Sequence, residues 1–272
     1  MSRAPAPAKI NLALVVGPLR DDGKHEVLTV LQRIDLVDRI ELDEAPELQV
    51  EGFEEDTLVG TALRELADSA GVEAGWRVRI EKKIPVAAGL GGGSSDAATA
   101  LRLANQTLSE PLATDELSEI AASVGADVPF FLADGPQLGS GDGTALEALD
   151  LPQDFWVFVL LPRATVKTST ADVYAAFDAR RGPAGWAERR QTLLDGLPRV
   201  ERPRDLADLP LNDLASSPLA EEILATGAFR ADVSGAGPAL YGLFHQRRDA
   251  DAARRKLRRL GRTWVAAPAW YG

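Results

Sequence analysis

The sequence predicts an α+β fold, and three patterns carry that prediction. Trp76 to Glu81 alternates with period two, with Trp76, Val78 and Ile80 on one face and Arg77, Arg79 and Glu81 on the other, as in a half-buried strand. Thr57 to Ala70 instead repeats its apolar residues at helical spacing, through Leu58, Ala62, Leu63, Leu66 and Ala67. Between Trp76 and Gln106 a strand runs into a glycine-rich loop, and the loop into a helix rich in alanine and leucine. At 272 residues the chain suffices for one large domain or two small ones sharing a cleft.

The remaining elements follow in chain order. Leu12 to Val16 reads as an early strand, closed by the polar turn Arg20-Asp21-Asp22-Gly23. His25 to Leu42 alternates loosely and predicts more strand. Asp56 or Thr57 can cap the helix that ends at Ala70. Ser94 to Leu108 predicts the helix after the glycine loop, and Asp115 to Val124 another that stops at Gly125. Phe155 to Leu161 opens the second half as a strand. Asp172 to Ala179 and Trp186 to Leu194 predict helices, and Phe229 to Phe244 a strand, a glycine turn and a strand. Asp249 to Leu260 is a basic amphipathic helix, and Thr263 to Ala267 a last strand. Pro183, Pro198, Pro203 and Pro210 mark loops. The cluster Arg254, Arg255, Arg258 and Arg259 reads most simply as a solvated helix face.

Composition excludes several classes of function. A formal net charge of −11 repels phosphodiester backbones and anionic membranes, so neither nucleic acid nor membrane is an expected partner. A small anionic ligand stays open, because one helix N-terminus and a few lysines set a local field against the global one. With no cysteine, the chain has no disulfide, no thiolate chemistry and no Cys-based metal site. The first twenty residues hold only a short apolar run, broken by Lys9 and Asn11, which is neither a signal peptide nor a membrane span. Phe155 to Pro162 has the length of a buried strand. These observations predict a cytoplasmic protein, and no feature specifies an oligomeric state.

The strongest chemical signal is the loop Pro85-Val86-Ala87-Ala88-Gly89-Leu90-Gly91-Gly92-Gly93-Ser94-Ser95, followed by Asp96. Its four glycines let backbone approach oxygen atoms closely and take positive φ. Successive N–H groups form a concave donor nest, and a helix starting near Ser94 adds partial positive charge. Such a loop suits a polyphosphate; the plain alternative is a flexible strand-to-helix turn. Ser94, Ser95 and Asp96 can cap the helix or face a phosphate or a metal ion. The pattern is not Walker A, since no lysine lies within the loop, and it fits the dinucleotide fingerprint poorly.

This loop resembles the second motif of the GHMP kinases, the superfamily of galactokinase, homoserine kinase and mevalonate kinase. Pro7-Ala8-Lys9-Ile10-Asn11-Leu12 resembles their N-terminal motif, and Val233-Ser234-Gly235-Ala236-Gly237-Pro238-Ala239 their C-terminal glycine motif. Within the superfamily the nearest resemblance is to the 4-diphosphocytidyl-2-C-methyl-D-erythritol kinases of the non-mevalonate isoprenoid pathway. It rests on those motifs and on Arg20-x-Asp22-Gly23-x-His25-Glu26, GADVPFFL at 125–132 and Asn212-Asp213-Leu214. The resemblance implies a two-domain α+β fold: a ribosomal S5 domain 2-like, ATP-binding unit over 1–150 and a ferredoxin-like unit over 151–272. It places the active site in the cleft between them. It implies ATP as donor, Mg²⁺ arriving with the nucleotide, and as acceptor a small molecule carrying a cytidine diphosphate group, phosphorylated on its 2-hydroxyl. A GHMP kinase for another alcohol, or a non-catalytic nucleotide-binding paralogue, is the alternative.

Residue by residue, the resemblance makes Asp127 the base that accepts the hydroxyl proton; from the residues alone it reads first as a helix-cap or turn aspartate after Gly125. It makes Lys9 the catalytic cation, which otherwise reads as a lysine snorkelling from a strand edge. Asn11, two residues on along the same strand face, could orient the hydroxyl or serve as a buried structural residue. His25 matches a residue that reads the cytosine ring. Lys24 stands where the family commonly has a stacking tyrosine, and an ammonium cannot stack as a ring does. Thr170 and Tyr174 match a substrate-pocket threonine and an aromatic four residues on, with a helix N-cap at Thr170 and a core tyrosine as the plain alternative. Lys82 matches a lysine near the nucleotide; Lys83 is the alternative, since a strand exposes one of the two to the cleft. Gly235 and Gly237 belong to a second glycine turn closing on substrate or phosphates, or to a simple hairpin turn. His245 has no motif around it, and no His/Asp/Glu cluster suggests a fixed metal site.

Overall fold

The computed structural model describes residues 1–53, 58–73, 75–163 and 169–269. Two long strands, β1 (Ser2–Leu19) and β2 (His25–Glu44), form an antiparallel hairpin that spans the molecule. The strand expected over Leu12 to Val16 is the centre of β1. Its extension was hidden by Pro5 and Pro7, which lack N–H donors. They are accommodated because β1 pairs with β2 alone and leaves its other side outside the ladder. On its far side β2 pairs with β4 (Trp76–Glu81) through its C-terminal half and with β5 (Gln137–Gly141) through its N-terminal half. β3 (Gln49–Glu51) adds parallel to β4, and β6 (Ala145–Ala148) antiparallel to β5.

Helices α1 (Leu58–Ala70), α2 (Gly92–Asn105) and α3 (Thr114–Val124) cover this sheet through a core that includes Leu63, Leu66, Trp76, Ile80, Leu101 and Phe130. Asp56 and Thr57, the two expected caps of α1, lie outside the described residues. The helix after the glycine loop begins at Gly92, two residues before Ser94, and ends at Asn105 rather than Leu108. Its alanines let it sit between α1 and the sheet, buried almost all round from Ser95 to Asn105.

The second sheet has the order β10-β7-β9-β8, all antiparallel: β7 (Trp156–Pro162), β8 (Arg230–Val233), β9 (Leu240–Phe244) and β10 (Gly261–Ala266). Helices α6 (Leu219–Leu224) and α7 (Arg247–Leu257) pack on one face around Phe158, Ile223, Phe244 and Ala253. The other face shares a core with β1, in which Ile10 and Leu12 meet Val157, Val159 and Tyr241. Helices α4 (Thr170–Ala179) and α5 (Trp186–Gly196) lie beside β1. Pro198 and Pro203 sit in short 3₁₀ turns at Leu197–Arg199 and Pro203–Asp208. The chain returns to the first sheet at its end, where Ile34 bridges Pro268.

The β5–β6 hairpin has no counterpart among the expected elements. Its strands carry little apolar signal, yet Asp142-Gly143 at its tip is a hairpin-turn dipeptide and could have found it. The expected β8–β9 unit is present, joined by the turn at Ser234 to Gly237.

Candidate active site

β1 brings the first two residues into place. Lys9 and Asn11 project from the same face, and Lys9 Nζ donates to Asn11 Oδ1 at 2.8 Å. Asn11 Nδ2 donates to Thr29 Oγ1 at 2.8 Å, and Thr29 Oγ1 to the Ala13 carbonyl at 2.8 Å. All three side chains are buried. Asp127 lies in the turn between α3 and the 3₁₀ segment Pro129–Phe131, and its Oδ2 is 3.3 Å from Lys9 Nζ. The two residues, 118 positions apart in sequence, therefore form one ion pair.

The glycine loop closes against β1 and the second glycine turn. The Leu90 carbonyl accepts from Lys9 N at 2.9 Å, and the Ala88 carbonyl from Ala239 N at 3.0 Å. The Gly89 carbonyl accepts from Ser234 Oγ at 2.9 Å. Three successive carbonyls are thus held by β1 and by the second glycine turn. Two glycines are sterically required. Gly89 has φ 79°, and a Cβ there would lie 2.2 Å from the Ser234 carbonyl oxygen. Gly91, with φ 69°, would place a Cβ 2.9 Å from Lys9 Cγ and 3.0 Å from the Phe131 ring.

Two cavities flank the loop and share Ala87, Gly89, Gly91, Ser94 and Thr170 as a common wall. The larger, 620 Å³, is lined by Lys9, Asn11, Asp127, Tyr174, Gly235 and Gly237 among others. The smaller, 430 Å³, is lined by Pro85 to Ser94 with Lys82, Phe53 and Leu58. Of the loop residues expected at the nucleotide, Ser95 alone lines neither cavity; it is fully buried.

Lys82 and Lys83 separate cleanly. Lys82 Nζ lies 2.6 Å from both Asp38 Oδ2 and Asp96 Oδ2, whereas Lys83 pairs with Glu81 at 3.2 Å on the outside. Burial alone would lower the Lys82 ammonium pKa, but the two carboxylates outweigh it and raise it. Asp38 also accepts from Ile84 N at 2.8 Å and from Lys83 N, which anchors the chain where it leaves β4 for the loop.

Among the described residues a single aromatic ring, that of Tyr174, lines the larger cavity. Tyr174 stacks on His25, with ring centroids 5.0 Å apart at 25°. His25 itself is buried behind Tyr174 and does not line the cavity. Its Nδ1 is 2.8 Å from the Gly17 carbonyl oxygen, and its Nε2 3.3 Å from Asp178 Oδ2. Burial, and then the Asp127 carboxylate, push the Tyr174 phenol up to about 12. Thr170 lines both cavities, and the N-cap of α4 is Ser169, whose Oγ accepts from Asp172 N at 3.1 Å. Lys24 stands at the rim and does not line the cavity; its Nζ lies 2.6 Å from Asp142 Oδ2. Asp142 does line it, on the turn of the unforeseen β5–β6 hairpin. Burial opposes ionisation of Asp142, but hydrogen bonds from Lys24 and Thr144 hold its carboxyl down at about 2.

Asp142, Thr29 and the apolar Leu14 and Val27 are cavity residues outside every recognised motif, and Leu214 lines the cavity from within the Asn212-Asp213-Leu214 motif; strand alternation around His25 was the signal available for Val27 and Thr29. Among the described residues no three or more His, Asp or Glu side chains come together to hold a metal ion. The donors beside the loop are the Ser94 hydroxyl, the Asp127 carboxylate and the Ser95 Oγ, which is buried with no hydrogen-bond partner among the described residues. That set fits a hard cation carried mainly by phosphate oxygens and water. No helix among the described residues is long and apolar enough to cross a membrane.

Comparison with known proteins gives the family and the fold. Residues 57–135 match the model of the GHMP kinases N terminal domain, and residues 215–263 that of the GHMP kinases C terminal. The 4-diphosphocytidyl-2-C-methyl-D-erythritol kinase of Pelobacter propionicus is 36% identical over 272 residues, covering 97% of this chain and 96% of that protein. A crystal structure of 4-(cytidine 5'-diphospho)-2C-methyl-D-erythritol kinase superposes with a TM-score of 0.80 at 31% identity, covering 98% of this chain and 99% of the other. The mevalonate kinase of Methanococcus jannaschii shares the fold, with a TM-score of 0.76 at 16% identity over 98% of each chain.

Proposed function

Since the chain belongs to the 4-diphosphocytidyl-2-C-methyl-D-erythritol kinase family of the GHMP kinases, we propose that it transfers the γ-phosphoryl group of ATP to the 2-hydroxyl of that substrate, with Asp127 as base and Lys9 as fixed cation. The observation that carries the residue roles is the Lys9–Asp127 contact of 3.3 Å beside a glycine loop that borders two cavities. One cavity suits the nucleotide and the other the acceptor.

In this reading the acceptor lies in the larger cavity, with its cytosine end towards Tyr174 and its hydroxyl near Asn11 and Asp127. Asp127 takes the hydroxyl proton. The freed oxygen forms a bond to the γ-phosphorus, the bond from that phosphorus to the β,γ-bridging oxygen breaks, and ADP leaves with that electron pair. The products are ADP and a phosphate monoester. Lys9, held by Asn11, keeps a positive charge beside the carboxylate and the migrating group. Loop amides and the N-terminus of α2 face the nucleotide phosphates. Positioning and electrostatics supply most of the rate, and the base a smaller share.

The Ser94 hydroxyl and the Asp127 carboxylate are the groups that would hold Mg²⁺ brought in with ATP. When bound, the ion supplies charge neutralisation on the phosphate oxygens. We place the reaction in the cytoplasm, where ATP is at hand.

A coupled ADP-release assay with a panel of alcohols tests the reading. Turnover of 4-diphosphocytidyl-2-C-methyl-D-erythritol, and none of homoserine, mevalonate or galactose, is the expected result. Turnover of another member of the panel in its place would overturn the substrate assignment.

A further inference from the structure

We propose that Asn212 is a positioning residue for phosphoryl transfer, acting by holding the second glycine turn against Lys9 and Asn11. The inference rests on the reaction proposed above. Asn212 does not line either cavity and touches no group assigned to the chemistry directly. Its side chain is nonetheless fully used. Nδ2 donates to the Val233 carbonyl at 2.9 Å and to the Gly235 carbonyl at 2.7 Å, and Oδ1 accepts from Leu214 N at 2.8 Å. One donor bond ends on the last residue of β8 and the other on the turn that leads from it to the cavity wall.

That turn is close to the reacting groups. The Cβ direction of Gly235 points to within 3.5 Å of both Lys9 Nζ and Asn11 Oδ1, so the turn backbone caps the two side chains. Gly235 has φ 56°, a left-handed backbone open to glycine, whose conformational freedom the bond from Asn212 restricts. On the other side of the turn, Ser234 Oγ donates to the Gly89 carbonyl of the phosphate loop. A shift of the turn therefore reaches the ammonium and the loop together.

A second route leads from Asn212 to the same strand. Asn212 N donates to Asp232 Oδ2 at 2.9 Å, and Arg230 Nη2 lies 3.4 Å from that oxygen. Arg230 Nε donates to Tyr241 Oη at 3.2 Å, and Tyr241 Oη donates to the Asn11 carbonyl at 3.0 Å. The hydrogen-bonded chain runs Asn11, Tyr241, Arg230, Asp232, Asn212, Gly235, and Gly235 in turn faces Asn11, where a Cβ would lie 3.5 Å from Asn11 Oδ1. It ties the second sheet to β1 at the ion pair. Burial raises the Asp232 pKa against the pull of Arg230, as expected of a carboxylate enclosed in such a chain of bonds. A satisfied, largely buried network of this kind rigidifies its surroundings. Small displacements of a reacting group lower rate far more than affinity.

The test is a double-mutant cycle on the purified full-length enzyme. Asn212→Ala should lower kcat by about 10²-fold and change the KM for ATP by less than about 3-fold. In a Lys9→Ala background the same substitution should lower kcat by about 10-fold or less, because the part of its effect that passes through Lys9 is already lost. An unchanged kcat in Asn212→Ala, or an equal loss in both backgrounds, overturns the proposal. Asn212→Asp keeps the acceptor for Leu214 N and removes the donors to Val233 and Gly235. It should reproduce the alanine result and decides the matter if the alanine variant does not fold. Wild-type turnover on the alcohol panel tests the reaction itself, so the two failures are distinguishable.

Discussion

Lys9 and Asp127 meet across 3.3 Å from opposite kinds of environment: the lysine side chain is 5% exposed and the aspartate side chain 40%. The cation sits in the wall, and the carboxylate faces the cavity where an acceptor hydroxyl can reach it. A buried ammonium held by Asn11 is fixed before substrate arrives, whereas an open carboxylate is free to take a proton. Asp127→Asn and Lys9→Ala should each lower kcat by at least about 10²-fold while an ATP analogue still binds. Steady-state ADP release and calorimetric titration measure the two quantities. Unaltered turnover in either variant removes that residue from the mechanism.

The Tyr174 phenol, pushed up to about 12 by burial and then by Asp127, stays neutral throughout an ordinary assay range. A pH–rate profile should therefore show no limb from this group below about pH 11. Tyr174→Phe should leave the shape of the profile unchanged and raise KM for the acceptor. A high-pH limb that vanishes in the variant would refute the burial argument.

Asp142, held at about 2 against an ordinary 3.8, binds its proton less readily in the fold than in the unfolded chain. Its contribution to stability is therefore present above about pH 4 and lost as pH falls towards 2. Lys24, its partner, is 56% exposed, so solvent screening limits the gain to less than about 1 kcal/mol. The melting-temperature gap between wild type and Asp142→Asn should be small at pH 7 and narrower at pH 3. A gap that widens on acidification contradicts the assignment.

Gly89→Ala should abolish detectable turnover, because its Cβ would sit 2.2 Å from a backbone oxygen of the second glycine turn and force the two loops apart. Gly135→Ala makes the control. It shares a positive φ, 67°, but has open space around it, so it should cost about 1–3 kcal/mol of stability and leave kcat near wild type. Equal activity in the two variants would show that loop contact does not matter.

Lys82 and Lys83 adjoin in sequence and should behave oppositely. Lys82→Ala leaves Asp38 and Asp96 buried without their shared cation and should destabilise by about 3–5 kcal/mol. Lys83→Ala removes a half-exposed pair with Glu81 and should change stability by less than about 0.5 kcal/mol. Denaturant unfolding of both proteins checks this, and similar values would undo the distinction.

Local pattern in the sequence determined most of the elements and the chemistry of the loop. Alternation over Trp76 to Glu81 matches β4 residue for residue, and helical spacing marks α1, α3 and α5 to within two residues at each end described. Those signals are local because they depend on period and on turn residues. The glycines of the loop were legible as suited to phosphate, whereas Lys9 and Asp127 stood out only through their resemblance to family motifs. Tertiary structure decided what each one meets. The ion pair of Lys9 and Asp127, the contact of the two glycine turns and the burial of His25 behind Tyr174 all join residues far apart in the chain. The choice of Lys82 over Lys83 depended on Asp38 and Asp96, which come from β2 and α2. The role of Asp142 depended on a hairpin whose strands are too short and too polar to announce themselves. Spacing along a chain fixes the face on which a side chain lies, but its partner is set by how sheets and loops pack, which is a property of the whole fold.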